Sequence, residues 1–219
     1  MLKFIIGEKI GMTQIFDVSG SVIPVTIVKA GPCIVTAMRT VEKDNYCAVQ
    51  LAFGDIKEKK LNKSIIGFFK KNNLPFKKNI REFKIPFSEI KKFLIGQEIK
   101  VDIFNIGDYV DVCALSKGKG YAGVIKRHNF SMQPKTHGQS DKTRARGSSG
   151  GQGPQRVFKG MKMAGHLGNK YVTIQKLRVV KVFLEQNILL IKGAVPSVNT
   201  GLLLISSTIK NFKNFKVLK

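Results

Sequence analysis

Apolar and polar residues alternate at period two through the first third of the chain, as expected for strands with one buried face. The alternation covers Leu2 to Ile6, Met12 to Phe16, Val22 to Val28, Ile34 to Met38 and Tyr46 to Phe53. Turn chemistry separates these runs at Asp17-Val18-Ser19-Gly20, Gly31-Pro32 and Lys43-Asp44-Asn45, where Gly, Pro, Asn and Asp suit a reversing backbone. A β-meander or Greek key is the expectation. The pattern returns at Ile99 to Phe104 and Tyr109 to Leu115. It returns again as a long strand from Val172 to Leu184, which reverses at Glu185-Gln186 into Asn187 to Lys192, and lastly at Leu202 to Ser206. These elements predict a mainly β, barrel-like body closed by strands distant in sequence.

Two segments break the pattern. Residues 57–92 carry 12 Lys plus Arg against 3 acids, interleaved with Phe68, Phe69, Phe76, Phe83 and Phe87, which predicts a basic insertion with short helices. Those phenylalanines fit a small satellite core beneath snorkelling lysines better than they fit base stacking. The second exception, residues 116–178, holds 14 Lys plus Arg, a single acid (Asp141), all three histidines and 11 of the 21 glycines. From Gln133 to Gly153 it has scarcely an apolar residue. Burial cannot offset the roughly 1–2 kcal/mol per residue that ordering such a stretch costs, so alone it should be disordered. The expected division is a body of 1–115 together with 172–219, interrupted by the insertion at 57–92, and an extended loop at 116–171.

Charge says what that loop would bind. The whole chain has 38 Lys plus Arg against 14 Asp plus Glu among 219 residues, a net charge of +24. Solubility alone is served by a net charge of about 2 to 8, so the excess asks for a polyanion. A membrane partner is disfavoured because the longest apolar pieces, such as Ile188 to Ile191, are strand-sized, against roughly 20 residues for a spanning helix. The N-terminus meets Lys3, Glu8 and Lys9 before an adequate apolar stretch can form, unlike a signal peptide. Cys33, Cys47 and Cys113 are odd in number and lack C-x-x-C spacing, so each reads as a small apolar residue rather than part of a disulfide or zinc framework.

Gly118-Lys119-Gly120-Tyr121-Ala122-Gly123 matches G-x-G-x-x-G and follows a predicted strand. A dinucleotide site also needs a parallel sheet and an acid about 20 residues on, whereas Asp141 lies in a polar basic loop. The same glycines suit close approach to an RNA backbone. Lys126-Arg127-His128 and Lys159-Gly160-Met161-Lys162 place cations beside small residues, and Arg144, Arg146, Arg156 and Lys159 cluster with no acids to pair them. His128, His137 and His166 are too scattered for a metal site and have no triad-like context. Gly147-Ser148-Ser149-Gly150-Gly151-Gln152-Gly153-Pro154 has linker composition, but basic loop flanks it on both sides, which fits a loop tip better. A nucleotide-using enzyme built on Gly118 to Gly123 and a DNA-architectural protein are the rival readings; the second lacks a recognition-helix pattern.

Several blocks resemble the signatures of the bacterial-type large-subunit ribosomal protein L3 family. They are Gly7-Glu8-Lys9-Ile10-Gly11-Met12-Thr13-Gln14-Ile15-Phe16, Ser116 through Phe130, Thr136-His137-Gly138, Arg156 through Gly168, and Lys192-Gly193-Ala194-Val195-Pro196. They span nearly the whole chain in the family's order. The resemblance implies a six-stranded translation-factor-type β-barrel and an extension threading through 23S-type rRNA towards the peptidyl transferase centre. It implies a non-enzymatic constituent of the large subunit that binds rRNA near its 3′ end and nucleates assembly, without cofactor, metal or small-molecule substrate. Its other partners would be neighbouring ribosomal proteins. Residues expected to meet rRNA are Lys117, Lys119, Lys126, Arg127, His128, Lys135, His137, Lys142, Arg144, Arg146, Arg156, Lys159, Lys162, His166 and Lys170.

In many bacterial members a tip glutamine followed by x-Pro is N5-methylated by a dedicated glutamine methyltransferase. Gln152, before Gly153-Pro154, occupies the matching place and is the candidate methylation site, with Gln155 a competing target. Many members read Gln-Thr-Pro-Gly there, and the usual His-Arg-x-Pro-Gly-Ser-Ile-Gly is replaced by Thr143-Arg144-Ala145-Arg146-Gly147-Ser148-Ser149-Gly150. Arg146 in place of proline adds charge and frees the backbone. The expected location is the cytoplasm, bound to ribosomes; the sequence does not choose between a bacterial and an organellar ribosome.

Overall fold

The computed structural model describes residues 3–210. Twelve strands form three sheets there, with every strand pair antiparallel. Six of them, β1 (Phe4–Phe16), β2 (Val22–Ala30), β7 (Tyr109–Leu115), β10 (Tyr171–Phe183), β11 (Ile188–Lys192) and β12 (Leu202–Ser207), close a barrel in the order β1-β12-β7-β10-β11-β2. The mainly β fold and its closure by sequence-distant strands follow the expectation: β1 pairs with β12 from Phe4↔Ser206 to Glu8↔Leu202. A four-stranded sheet, β5-β4-β3-β6, uses β3 (Cys33–Arg39), β4 (Ala48–Asp55), β5 (Lys77–Lys84) and β6 (Glu98–Ile99). The last two strands, β8 (Tyr121–Ala122) and β9 (Gly165–His166), pair with each other.

By their contacts the described residues divide into two compact units, residues 3–115 with 171–210, and residues 116–170. Within the first, the barrel and the four-stranded sheet share one apolar core that includes Ile5, Leu189, Leu203 and Ile205 from the barrel and Val35, Val49 and Leu51 from the sheet. Phe4, Ile5 and Ile6 are buried in succession because both faces of β1 are covered here. The Phe4 ring stacks on Phe83 of β5 at 4.9 Å and lies 5.4 Å from Phe93. Full burial of each such side chain contributes about 1.5–3 kcal/mol.

Five expectations need correction. The run expected from Leu2 to Ile6, of which Leu2 lies outside the described residues, and the run from Met12 to Phe16 are not separate strands, because β1 continues through Gly7–Gly11 with a bulge between Lys9 and Gly11 that interrupts the alternation. Lys9, only 6% exposed, turns its ammonium inward and donates to the Val195 and Ser197 carbonyls at 3.1 and 3.3 Å. Ile99 to Phe104 is not a strand: β6 ends at Ile99 and a 3₁₀ turn follows over Val101–Ile103. The three-residue spacing of Val101 and Phe104 then buries both.

Ile34 to Met38 and Tyr46 to Phe53 are strands, but they leave the barrel for the second sheet, whose pairing no local pattern announces. The short helices expected over 57–92 are present as α2 (Lys63–Lys71) and α3 (Phe87–Ile90), following α1 (Val41–Asp44). Lys77–Lys84 of that segment is nevertheless a strand, paired with β4. Phe69 is buried with Phe68 and Phe76 edge-on to it, a satellite cluster as expected, whereas Phe83 belongs with the main core and Phe87 is exposed. Lys77 is buried along its stem and reaches Asp55 Oδ1 at 2.7 Å. No helix among the described residues is long and apolar enough to cross a membrane.

Candidate nucleic-acid interface

The unit at 116–170 starts and ends in a two-stranded neck. Ser116 N–H donates to the Lys170 carbonyl at 2.9 Å, Lys119 N–H to Leu167 at 2.9 Å, and Leu167 N–H back to Gly120 at 2.9 Å. The neck continues as β8 and β9, with Tyr121 opposite His166 and Ala122 opposite Gly165. Gly168 permits this closeness: its φ is +75°, and a Cβ there would collide with the Lys117 carbonyl.

After Gly123 the chain forms α4 (Val124–His128), which ends at Asn129 in the left-handed conformation. Its last turn carries Lys126, Arg127 and His128. Arg127 Nη1 donates to the Met163 carbonyl at 2.7 Å, and His128 Nε2 lies 3.0 Å from the same oxygen. Two of the residues chosen from sequence, Arg127 and His128, therefore converge on one carbonyl and tie the loop's return to its start.

Residues 129–164 contain turns and bends but neither helix nor strand. Gln133 N–H donates to the Thr143 carbonyl at 3.1 Å, doubling the chain back, and Arg144 Nη1 lies 3.4 Å from Met132 Sδ. Gln152 and Gln155 are both exposed at a turn closed by Gln155 N–H donating to the Gln152 carbonyl at 3.1 Å. They border an open hollow of about 410 Å³ with Ser149, Gly151 and Arg156.

Lys117, Lys119, Lys126, Lys135, His137, Lys142, Arg144, Arg156, Lys159, Lys162, His166 and Lys170 are exposed, while Arg127, His128 and Arg146 are half-buried. The unit holds 12 Lys plus Arg against Asp141 alone, and among the described residues no ion pair joins any of these cations to a carboxylate. No cluster of His, Cys, Asp and Glu able to hold a metal occurs among the described residues. The glycine motif lies on the antiparallel β8–β9 ribbon and precedes a helix of only five residues, so it lacks the parallel sheet of a dinucleotide site.

Tyr121 was not among the residues singled out from sequence. It is 73% exposed, the most exposed aromatic side chain among the described residues, and meets His166 edge to face at 6.1 Å and 84°. An aromatic isolated among glycines and lysines was the available signal.

Comparison with known proteins gives the context. Residues 83–188 match the family model described as ribosomal protein L3. The large ribosomal subunit protein uL3 of Endomicrobium trichonymphae is 65% identical over 210 residues, covering 96% of this chain and 92% of that protein. This chain belongs to the ribosomal protein L3 family. The uL3 proteins of Heliobacterium modesticaldum and Herpetosiphon aurantiacus are 53% and 50% identical, covering 95% and 97% of this chain and 98% and 100% of their own lengths. The L3 family is structural and non-enzymatic. The family match covers the whole of the 116–170 unit and the two strands, β7 and β10, that lead into and out of it.

Proposed function

We propose that this protein is a structural constituent of the large ribosomal subunit and that residues 116–170 are its principal rRNA-binding unit. The observation that carries the reading is a unit with 12 Lys plus Arg, one acid and no internal ion pair. Cations without carboxylate partners lose little on meeting phosphates and gain from counterion release. A polar, glycine-rich segment can also fill space between RNA helices, where recognition rests on shape, sugars and backbone.

Family membership supports the finer parts of the proposal. The protein binds 23S-type rRNA near its 3′ end and nucleates subunit assembly, with the 116–170 unit directed towards the peptidyl transferase centre. It works ribosome-bound in the cytoplasm beside other large-subunit proteins. Gln152, exposed before Gly153-Pro154, is the target of a glutamine methyltransferase.

Filter binding to a large-subunit rRNA transcript tests the central claim. Contact with about six phosphates predicts an affinity loss on the order of 10³ between 50 and 200 mM salt, and flat salt dependence would overturn it. Deleting residues 133–153 should leave a cooperatively unfolding barrel and impair subunit assembly. Mass spectrometry of protein from native ribosomes checks Gln152: a 14 Da increment on Gln155 instead would reassign the site (one methylene, about 14 Da).

A further inference from the structure

Among the described residues many aromatic side chains pack in a core or along a sheet, whereas Tyr121 is exposed and its ring meets His166. In an edge-to-face pair a ring gives up at most one face, and Tyr121 as a residue is 73% exposed. Phe158 is the next most exposed aromatic of the unit at 50%, so Tyr121 leaves the larger apolar surface uncovered, and a planar partner would cover it.

We propose that Tyr121, braced by His166, is a stacking platform for one unpaired base of the bound RNA. The inference rests on reading 116–170 as an RNA-binding unit and adds to it a site that contacts a base rather than phosphate. Three features support it. First, the platform is fixed in advance: β8 pairs Tyr121 with His166, Gly168 seats the neck against Lys117, and Arg127 on the Met163 carbonyl holds the strand that carries His166. A preformed site forfeits less ordering entropy on binding.

Second, Lys117, Lys119 and Lys126 lie within five residues of the ring and have no ion-pair partner among the described residues. Aromatic rings set among cations that track the backbone are how proteins hold single-stranded nucleic acid. Third, Gly120 precedes Tyr121 and Gly123 lies two residues after it, and the space beside both glycines is open. A protein partner would want an apolar neighbourhood and would have to desolvate these lysines, so the chemistry favours a base.

The test uses the full-length protein and a large-subunit rRNA transcript at fixed salt, with thermal melting to confirm folding. Replacing the ring by Tyr121→Ala should weaken binding roughly 5- to 100-fold without changing the salt slope, and Tyr121→Phe should bind within about twofold of the parent because stacking uses the π-face. The chain contains no Trp, so Tyr121→Trp provides a single tryptophan whose selectively excited emission a stacked base should quench. Parental affinity for Tyr121→Ala, or an unquenched Trp, overturns the platform while the parent's steep salt dependence keeps the phosphate reading intact. A flat salt slope in the parent would instead remove the underlying RNA reading.

Discussion

Arg127 and Met163 are joined by a 2.7 Å hydrogen bond from Nη1 to the backbone carbonyl, across a span of 36 positions. Gly165, two residues further on, leaves room for the guanidinium: a Cβ there would come within 2.7 Å of Nη1. The basic unit is therefore braced by one of its own cations.

Arg127→Ala and Gly165→Ala should both release this brace. A hydrogen bond from a charged donor contributes about 1.5–3 kcal/mol, so trypsin cleavage within residues 129–164 should accelerate roughly tenfold or more while the barrel's melting temperature stays put. The double variant should be no worse than either single one, because both remove the same bond. Additive effects would show that Gly165 acts elsewhere.

Lys9 is the buried counterpart in the first unit. Lys9→Met keeps the stem and leaves the Val195 and Ser197 carbonyls short of a donor. Unsatisfied buried groups cost about 1–3 kcal/mol, and a protein of this size loses roughly 2–4 °C of melting temperature per kcal/mol. Differential scanning calorimetry should therefore show a fall of roughly 2–10 °C; an unchanged transition would mean water replaces the ammonium.

Asp108 provides an acid-sensitive contact. Partial burial pushes its carboxyl up, but the bond from Lys3 Nζ at 2.6 Å, the Asn105 N–H and the Lys3 charge together hold it below the ordinary value of 3.8. The folded chain then binds the proton less readily than the unfolded one. Stability from this pair is present above about pH 3.8 and drains as pH falls through the lower, folded value. Asp108→Asn should cost up to about 1 kcal/mol at pH 7, as partly solvated pairs do, and nothing near pH 2. Urea midpoints measured at the two pH values decide it.

Cys33 behaves oppositely. Burial pushes its thiol up to about 12, against smaller downward pulls from the Ile6 backbone and the Lys77 charge. The unfolded chain therefore loses this proton before the folded one, so the contribution is full below about pH 9 and is lost as pH rises towards 12. Native protein at pH 8 should leave Cys33 unmodified by iodoacetamide, with any labelling confined to the half-buried Cys47 and Cys113. Rapid labelling of Cys33 under native conditions would contradict the burial.

The sequence by itself determined where most strands lie, because alternation is local: β2, β7, β10, β11 and β12 sit within a few residues of their apolar runs. It likewise determined that charge and glycine concentrate beyond Ser116, since composition needs no coordinates. Only the tertiary structure decided that β3 and β4 join β5 and β6 outside the barrel, and that β1 is buried on both faces at Phe4 to Ile6. Strand partnership depends on which distant surfaces cover one another, and a period-two pattern is the same whichever sheet receives it. The tertiary structure alone also distinguished among similar cations. Arg127 braces a carbonyl 36 positions away while Lys119 stands exposed, and Tyr121 meets His166 although 45 positions separate them. Side chains of one type have one chemistry in sequence; the backbone that returns beside them decides which are bound to the protein and which are left for a partner.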